Sequence, residues 1–339
     1  MSTVAQLSPS TATGTLGIMH LKRYWEKTMA RRNGKTDAQW EEEWNTDTTM
    51  LSMLGLGLEQ TIVYLFNEAP SFETFEQWIT DRNNGTPPIE KIALFNQLLA
   101  AQDTTYVEQT IADVLTADDL AHWEAHNYVI VRNAVPAADC DATIQLICDF
   151  LEVDINEPAT WYRENKARQG IMVQLFQHAQ LEANRQSPRI RRAYEQLWQR
   201  KDIWVNTDRV GFNPPQTESW YFPGPRLHWD VSLQLPIPFG TQGILYLSDT
   251  AANQGAFTLV PGFRHQVASW LHQLPADADP RKEDLYALGA QPVVANKGDF
   301  IIWDHALPHG SSVNTSDIPR FVQYINYAPL NAEFQMNWI

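Results

Sequence analysis

Cysteine is almost missing from this chain: there are two among 339 residues, Cys140 and Cys148. They sit in one segment of helical texture, too far apart along its axis to be bridged. A disulfide framework is therefore excluded, and a reducing cytoplasm is the expected setting. Positive charge is in deficit as well. Lys and Arg number 25 against 40 Asp and Glu, a formal net charge of −15. Nucleic acid and anionic membrane surfaces are poor partners for such a chain. An anionic small molecule stays compatible, because a local arginine outweighs the global field. No apolar run is long enough to span a bilayer. There is no internal repeat and no Gly-rich nucleotide loop. Residues 1–14, rich in Ser, Thr and Ala, lack the basic and apolar regions of a signal peptide and are expected to be disordered.

Tryptophan is plentiful, at 13 residues, and is expected mainly to fill a large core. From Leu16 to about Gln102 the texture is helical. Met19, Leu21, Tyr24, Trp25 and Met29 recur at helical spacing, Asp37 precedes a short acidic helix, and Leu51–Phe66 reads as one apolar helix. Ser71 is placed to cap a further helix, residues 83–88 form a break, and Ile89–Leu99 closes this region. Helices are also expected over Ala117–His126, capped by Thr116 and ended by a left-handed Asn127, and over Pro136–Leu151 and Ser187–Trp198. Tyr128–Arg132 reads as a strand. From Ile203 onward short β-rich runs alternate with Pro, Gly and Asn: Ile203–Val210, Leu227–Leu235, Gly243–Ser248, Ala256–Val260, Gln291–Ala295, Asp299–Trp303 and Arg320–Tyr327. Many short strands with turn punctuation predict a sandwich or barrel, not alternating βαβ units. The expected division is a disordered stretch 1–14, a helical region 15–115 and a β-core 116–339. The helical region is expected to pack on the β-core.

The chemistry lies in the C-terminal half. His228 and Asp230 are two residues apart, so on a strand both side chains point one way. A distant histidine can complete a set of two imidazoles and one carboxylate, which suits non-haem Fe(II) with one face left open. His309 and His305 both compete for that place. Arg320 shares a strand face with Val322 and Tyr324, and a charge pointing into a barrel must be paired. Taken alone, the His-x-Asp pair is an ordinary hydrogen bond and Arg320 an ordinary salt bridge.

The ordered set changes that balance. His228-Trp229-Asp230, Gly255 to Gly262, Gly298-Asp299, His309-Gly310-Ser311, Asn314-Thr315-Ser316 and Arg320 together resemble the phytanoyl-CoA dioxygenase family of Fe(II)/2-oxoglutarate oxygenases. The resemblance covers roughly residues 116–330. It implies an α+β protein with a double-stranded β-helix core, a cupin-like jelly roll, carrying an N-terminal helical region. It implies His228, Asp230 and His309 as iron ligands, Arg320 as the partner of the distal carboxylate of 2-oxoglutarate, and Ser311 as a hydroxyl beside it. Tyr246 and Thr207 match positions near the co-substrate more loosely. Arg209 and Arg226 are candidates for a substrate acid group, and an ordinary salt bridge is an equal reading for each.

The implied cofactors are Fe(II), 2-oxoglutarate and O2. The implied reaction is hydroxylation of an unactivated C–H bond of a small molecule, an amino acid or a biosynthetic intermediate, with loss of CO2 from 2-oxoglutarate to give succinate. Asp230 retains the carboxylate that halogenating relatives lack, which favours hydroxylation, desaturation or ring closure over halogenation. Two other readings are a jelly-roll metal sensor without turnover and an iron oxygenase that uses no 2-oxoglutarate. Arg320 and Ser311 speak against both.

Overall fold

The computed structural model describes residues 7–85, 88–100 and 111–339. It comprises two compact units. One takes in the described residues of Met1–Thr110 with Trp204–Asp208 and Pro329–Asn331; the other is Ile111–Ile203, Arg209–Ala328 and Ala332–Ile339.

The first unit is helical, with α1 (Leu21–Arg32), α2 (Trp44–Met53), α3 (Leu58–Glu68), α4 (Phe72–Arg82) and α5 (Ile89–Leu99). The apolar run expected as one helix over Leu51–Phe66 is broken into α2 and α3. Gly55 turns the chain there at φ +68°, a conformation that glycine adopts without cost. Ser71 caps α4 by accepting from the Thr74 amide at 3.2 Å, as predicted. Leu21, Met50, Leu54, Leu65, Phe75 and Phe95 form the core. Beside them lies a buried ion cluster. Lys27 Nζ is 2.9 Å from Glu43 and 2.5 Å from Asp47, and His20 Nε2 is 3.0 Å from Asp47. His20, Glu43 and Asp47 are grouped closely enough to hold a metal. The Lys27 ammonium already supplies the cation, so the cluster is a satisfied ion network.

Residues 1–6, Thr86, Pro87 and Gln102 lie outside the described residues. Within the stretch expected to be disordered, Ser8 Oγ donates to Glu26 at 2.7 Å and Ser10 Oγ meets His20 Nδ1 at 2.9 Å. Among the described residues no single helix is long and apolar enough to cross a membrane.

The second unit carries α6 (Ala117–His126), α7 (Ala137–Leu151), α8 (Ala179–Arg185), α9 (Pro188–Trp198) and α10 (Val267–Gln273). Thr116 and Asp119 form a capping box on α6, and Asn127 ends it at φ 60°. Cys140 and Cys148, both on α7, are buried and free. The strands of the chain are β1 (Tyr128–Val131), β2 (Arg168–Gln169), β3 (Met172–Val173), β4 (Ile203–Val205), β5 (Val210–Asn213), β6 (Thr241–Tyr246), β7 (Phe257–Leu259), β8 (Gln291–Pro292), β9 (Phe300–Asp304), β10 (His309–Ser311), β11 (Arg320–Tyr324) and β12 (Tyr327–Pro329).

Seven strands form one sheet in the order β1-β9-β6-β11-β5-β3-β2, and three form another in the order β10-β7-β8. The ladders are antiparallel. Ile244, Tyr246, Phe257, Leu259, Ile301, Trp303 and Val322 fill one core between the two sheets, so the unit is a double-stranded β-helix. Strand alternation sends Gln323 to the opposite face from Arg320 and Val322. There Gln323 donates to the Leu181 carbonyl of α8 at 2.9 Å and accepts from Asn184 at 2.8 Å.

Several expected strands change: Arg320–Tyr327 divides into β11 and β12, and Gln291–Ala295 keeps only its first two residues as β8. Ile203–Val210 is interrupted between β4 and β5, because Trp204–Asp208 belongs to the helical unit. Leu227–Leu235 is not a strand. Its only ladder contact is the bridge of His228 to His309, and the chain from Trp229 onward is irregular.

The Gly298-Asp299 pair has a clear role. Asp299 accepts from the amides of Asn133 at 2.9 Å and Asn296 at 3.0 Å and from Arg132 at 2.7 Å, which fixes the entry to β9. Gly298 sits at φ +84°, and a Cβ there would lie 2.3 Å from the Val135 carbonyl oxygen. Gly298→Ala is therefore expected to cost about 1–3 kcal/mol, from backbone strain and from overpacking against main chain that cannot yield. Urea unfolding of the variant checks this; an unchanged midpoint would refute it.

Candidate metal centre

The main chain brings the two distant histidines together. His228 N–H donates to the His309 carbonyl at 2.9 Å and His309 N–H returns a bond to His228 at 3.0 Å. Residues opposed in this way carry neighbouring side chains, and the ring centroids are 4.8 Å apart. Each ring spends Nδ1 on a carbonyl two residues back: His228 on Arg226 at 2.7 Å and His309 on Leu307 at 3.0 Å. This fixes the tautomer and turns both Nε2 atoms toward a common point.

Asp230 stands at that point. Its Oδ1 is 3.3 Å from His228 Nε2 and its Oδ2 is 3.2 Å from His309 Nε2. Three ligands at right angles, each ~2.0–2.2 Å from a first-row ion, lie ~3 Å from one another, so these separations suit one metal ion. The donor set of two imidazoles and one carboxylate suits Fe(II). Side-chain exposure rises from 5% at His309 to 35% at His228 and 51% at Asp230, so the trio is most open at Asp230. Trp303 and Phe257 stand against the His309 ring, with centroids at 5.1 and 6.1 Å.

The electrostatics agree. Burial pushes the Asp230 carboxyl up, but hydrogen bonds and charge from His228 and His309 outweigh it and hold the acid well below the usual carboxylate range. Burial pulls the His228 imidazolium down, and the Asp230 hydrogen bond and charge, with the Arg226 carbonyl, reverse this to a net rise. A carboxylate held ionised beside two imidazoles whose Nε2 atoms are left free by the Nδ1 bonds makes a site for a cation.

Arg320 is fully buried at the first residue of β11. Its Nη2 donates to Ser311 Oγ at 3.0 Å, while Nε and Nη1 have no hydrogen-bond partner. A buried guanidinium with two idle donors is costly unless an acceptor arrives. Tyr246 lies beside Arg320, which holds its hydroxyl down, but burial prevails and pushes it up to about 12. Its oxygen donates to the Val293 carbonyl at 2.9 Å and accepts from the Phe257 amide at 2.8 Å.

The other expected residues are placed differently. Thr207 is part of the helical unit, where its amide and hydroxyl bond to Ser52 at 3.2 and 3.3 Å. The Arg209 guanidinium lies over the Phe176 ring at 5.6 Å. Arg226 is exposed two residues before His228. His305 meets the Pro238 carbonyl through Nε2 at 2.8 Å, which leaves His309 with the trio. Gln242 of β6 was missed by sequence reasoning, although a polar residue beside an apolar strand run was a visible signal. Its Nε2 donates to Asp230 Oδ2 at 2.7 Å and so orients the carboxylate.

The model of the phytanoyl-CoA dioxygenase (PhyH) family matches residues 123–322, more than half of the chain. A Dictyostelium discoideum protein that carries the phytanoyl-CoA dioxygenase name is 22% identical over 259 residues, covering 61% of this chain and 74% of its own. Among solved structures, the non-heme alpha ketoglutarate dependent carbocyclase SnoK of nogalamycin biosynthesis is similar at 16% identity and a TM-score of 0.46, over 66% of this chain and 87% of its own. EctD from S. alaskensis with bound Fe is similar at 16% identity and a TM-score of 0.46, over 67% of this chain and 82% of its own. The match over residues 123–322, which contains His228, Asp230, His309 and Arg320, decides the assignment: the chain belongs to the phytanoyl-CoA dioxygenase family.

Proposed function

We propose that this Fe(II)/2-oxoglutarate-dependent dioxygenase hydroxylates an unactivated C–H bond of a small molecule, an amino acid or a biosynthetic intermediate. In this reading His228, Asp230 and His309 hold the iron, and Arg320 with Ser311 holds the distal carboxylate of 2-oxoglutarate. The observation that carries the reading is the pair of idle donors on the buried Arg320. A planar guanidinium takes a carboxylate through two parallel bonds, and a purely structural module would have no use for a buried cation left half paired. When bound, the iron supplies the oxygen chemistry that the side chains lack. One oxygen atom of O2 passes to succinate and the other to the product alcohol, with CO2 released.

The remaining work belongs to the protein. Gln242 orients Asp230, and Trp303 and Phe257 shield His309 from water on the closed side. Substrate approaches on the open side beside Asp230. Arg226, exposed two residues before His228, is a candidate partner for an acid group of the substrate. The free cysteines Cys140 and Cys148 accord with a cytoplasmic enzyme.

The test is anaerobic addition of Fe(II) and then 2-oxoglutarate to the protein. A weak visible charge-transfer band is expected only when both are present. Iron binding without that band would favour a metal sensor and overturn the reading.

A further inference from the structure

Asp230 is held differently from the two histidines. His228 and His309 are locked to each other by main-chain bonds, whereas Asp230 follows in the irregular run after His228. In a strand, the carbonyls on either side of it would be taken by a neighbouring strand. Here Arg281 takes both. Its Nη1 donates to the Trp229 carbonyl at 2.8 Å and its Nη2 to the Val231 carbonyl at 2.7 Å. The fork thus spans the residue between them, which is Asp230.

Arg281 is itself held from the far side. Its Nη2 also donates to the Ile339 carbonyl at 2.9 Å, and its guanidinium lies 4.6 Å from the Trp338 ring centroid. Residues 337–339 are bound to the same run: Ser232 Oγ donates to the Asn337 carbonyl at 2.6 Å, and the Leu233 amide donates to Ile339 at 3.1 Å. Trp229 is anchored separately, through Nε1 to the Ala306 carbonyl at 2.9 Å.

We infer that Arg281, seated on Trp338 and Ile339, is a positioning residue that replaces the missing strand partner and sets the angle at which Asp230 meets the metal. The inference rests on the metal reading of His228, Asp230 and His309. The hydrogen bonds of Arg281 go to main-chain oxygens and not to the trio's donor atoms, so its geometric hold on Asp230 is through the backbone. Its positive charge by itself would weaken cation binding. A geometric role and an electrostatic role therefore predict opposite signs when Arg281 is removed.

Arg281→Lys separates them, because lysine keeps the charge and loses the planar fork. Anaerobic equilibrium dialysis against Fe(II), with thermal melting of the metal-free protein, is the experiment. Arg281→Lys is expected to bind Fe(II) about tenfold more weakly, the lower end of what outer partners of a metal ligand contribute, at an unchanged melting temperature. Trp338→Ala leaves the fork in place but removes its seat, and is expected to weaken Fe(II) by about two- to fivefold. Wild-type Fe(II) affinity in Arg281→Lys overturns the inference and leaves the metal reading standing. So does a loss of affinity that merely follows a fall in melting temperature. If Arg281→Lys does not fold, Trp338→Ala decides, and wild-type affinity there overturns the inference. Failure of the unaltered protein to bind Fe(II) overturns the metal reading and the inference with it.

Discussion

His309→Ala should lose Fe(II) binding and turnover together, by more than the roughly 100-fold that outer partners of a metal ligand reach. His309 supplies the least exposed donor of the trio, and among the described residues no other imidazole joins the group. His305, four residues earlier, is the informative control. Its ring is bonded to the Pro238 carbonyl at 2.8 Å, so His305→Ala should keep both iron and activity. The fold should survive His309→Ala, because β10 pairs with β7 through backbone groups that alanine retains. Anaerobic dialysis against Fe(II) and a turnover assay on both variants decide the matter. An alanine variant at 309 that still binds one iron and turns over would remove His309 from the metal site.

Arg320→Met should raise the concentration of 2-oxoglutarate required by at least about tenfold, as expected for a lost charged hydrogen-bonded pair of roughly 1.5–3 kcal/mol. Fe(II) affinity should stay near its wild-type value, because Arg320 reaches Ser311 and not the three ligands. Stability gives a second and independent sign. In the protein without co-substrate, Arg320 is a buried cation with two unpaired donors. Replacing such a group by an apolar side chain of similar length removes a desolvation cost. The variant is expected to melt no lower than wild type when 2-oxoglutarate is absent, and to gain less than wild type when it is added. An unchanged co-substrate requirement, or a large drop in melting temperature without co-substrate, would make Arg320 a structural residue.

The site was more legible than its supports. The spacing His228-x-Asp230, the His309-Gly310-Ser311 run and the eleven-residue step to Arg320 are local patterns, legible as an ordered set through the family resemblance, although the strand expected to carry His228 and Asp230 is absent. The Gly298-Asp299 turn was equally readable, since a positive φ and a carboxylate that gathers amides leave a two-letter trace. Capped helices were found at their ends: Ser71 and Thr116 start α4 and α6, and Asn127 stops the latter.

What failed depends on contacts far apart in sequence. The run Leu227–Leu235 has the apolar content of a strand, but the Trp229 and Val231 carbonyls go to Arg281, some fifty positions on, and nothing in the run announces that. Thr207 sits among β-like residues, yet its partner is Ser52, so the chain there serves the helical unit. Gly55 was passed over inside an apolar pattern because periodicity is insensitive to a single positive φ. No local pattern marks His20. Its role in the ion cluster with Lys27, Glu43 and Asp47 exists only once three separate segments meet.

If the trio holds a metal as proposed, the mutual main-chain bonds of His228 and His309 make the two imidazoles a single bidentate chelator. Its bite is a property of the ladder, fixed before any ion arrives, so the entropy of bringing two donors together is already spent in folding. Asp230 is the third arm and hangs outside the ladder. Exchange of a bound ion would then begin at the carboxylate, the most exposed of the three, while the imidazole pair retains its grip. A centre built in this way has one jaw set by the ladder and one set by side chains, Gln242 and Arg281.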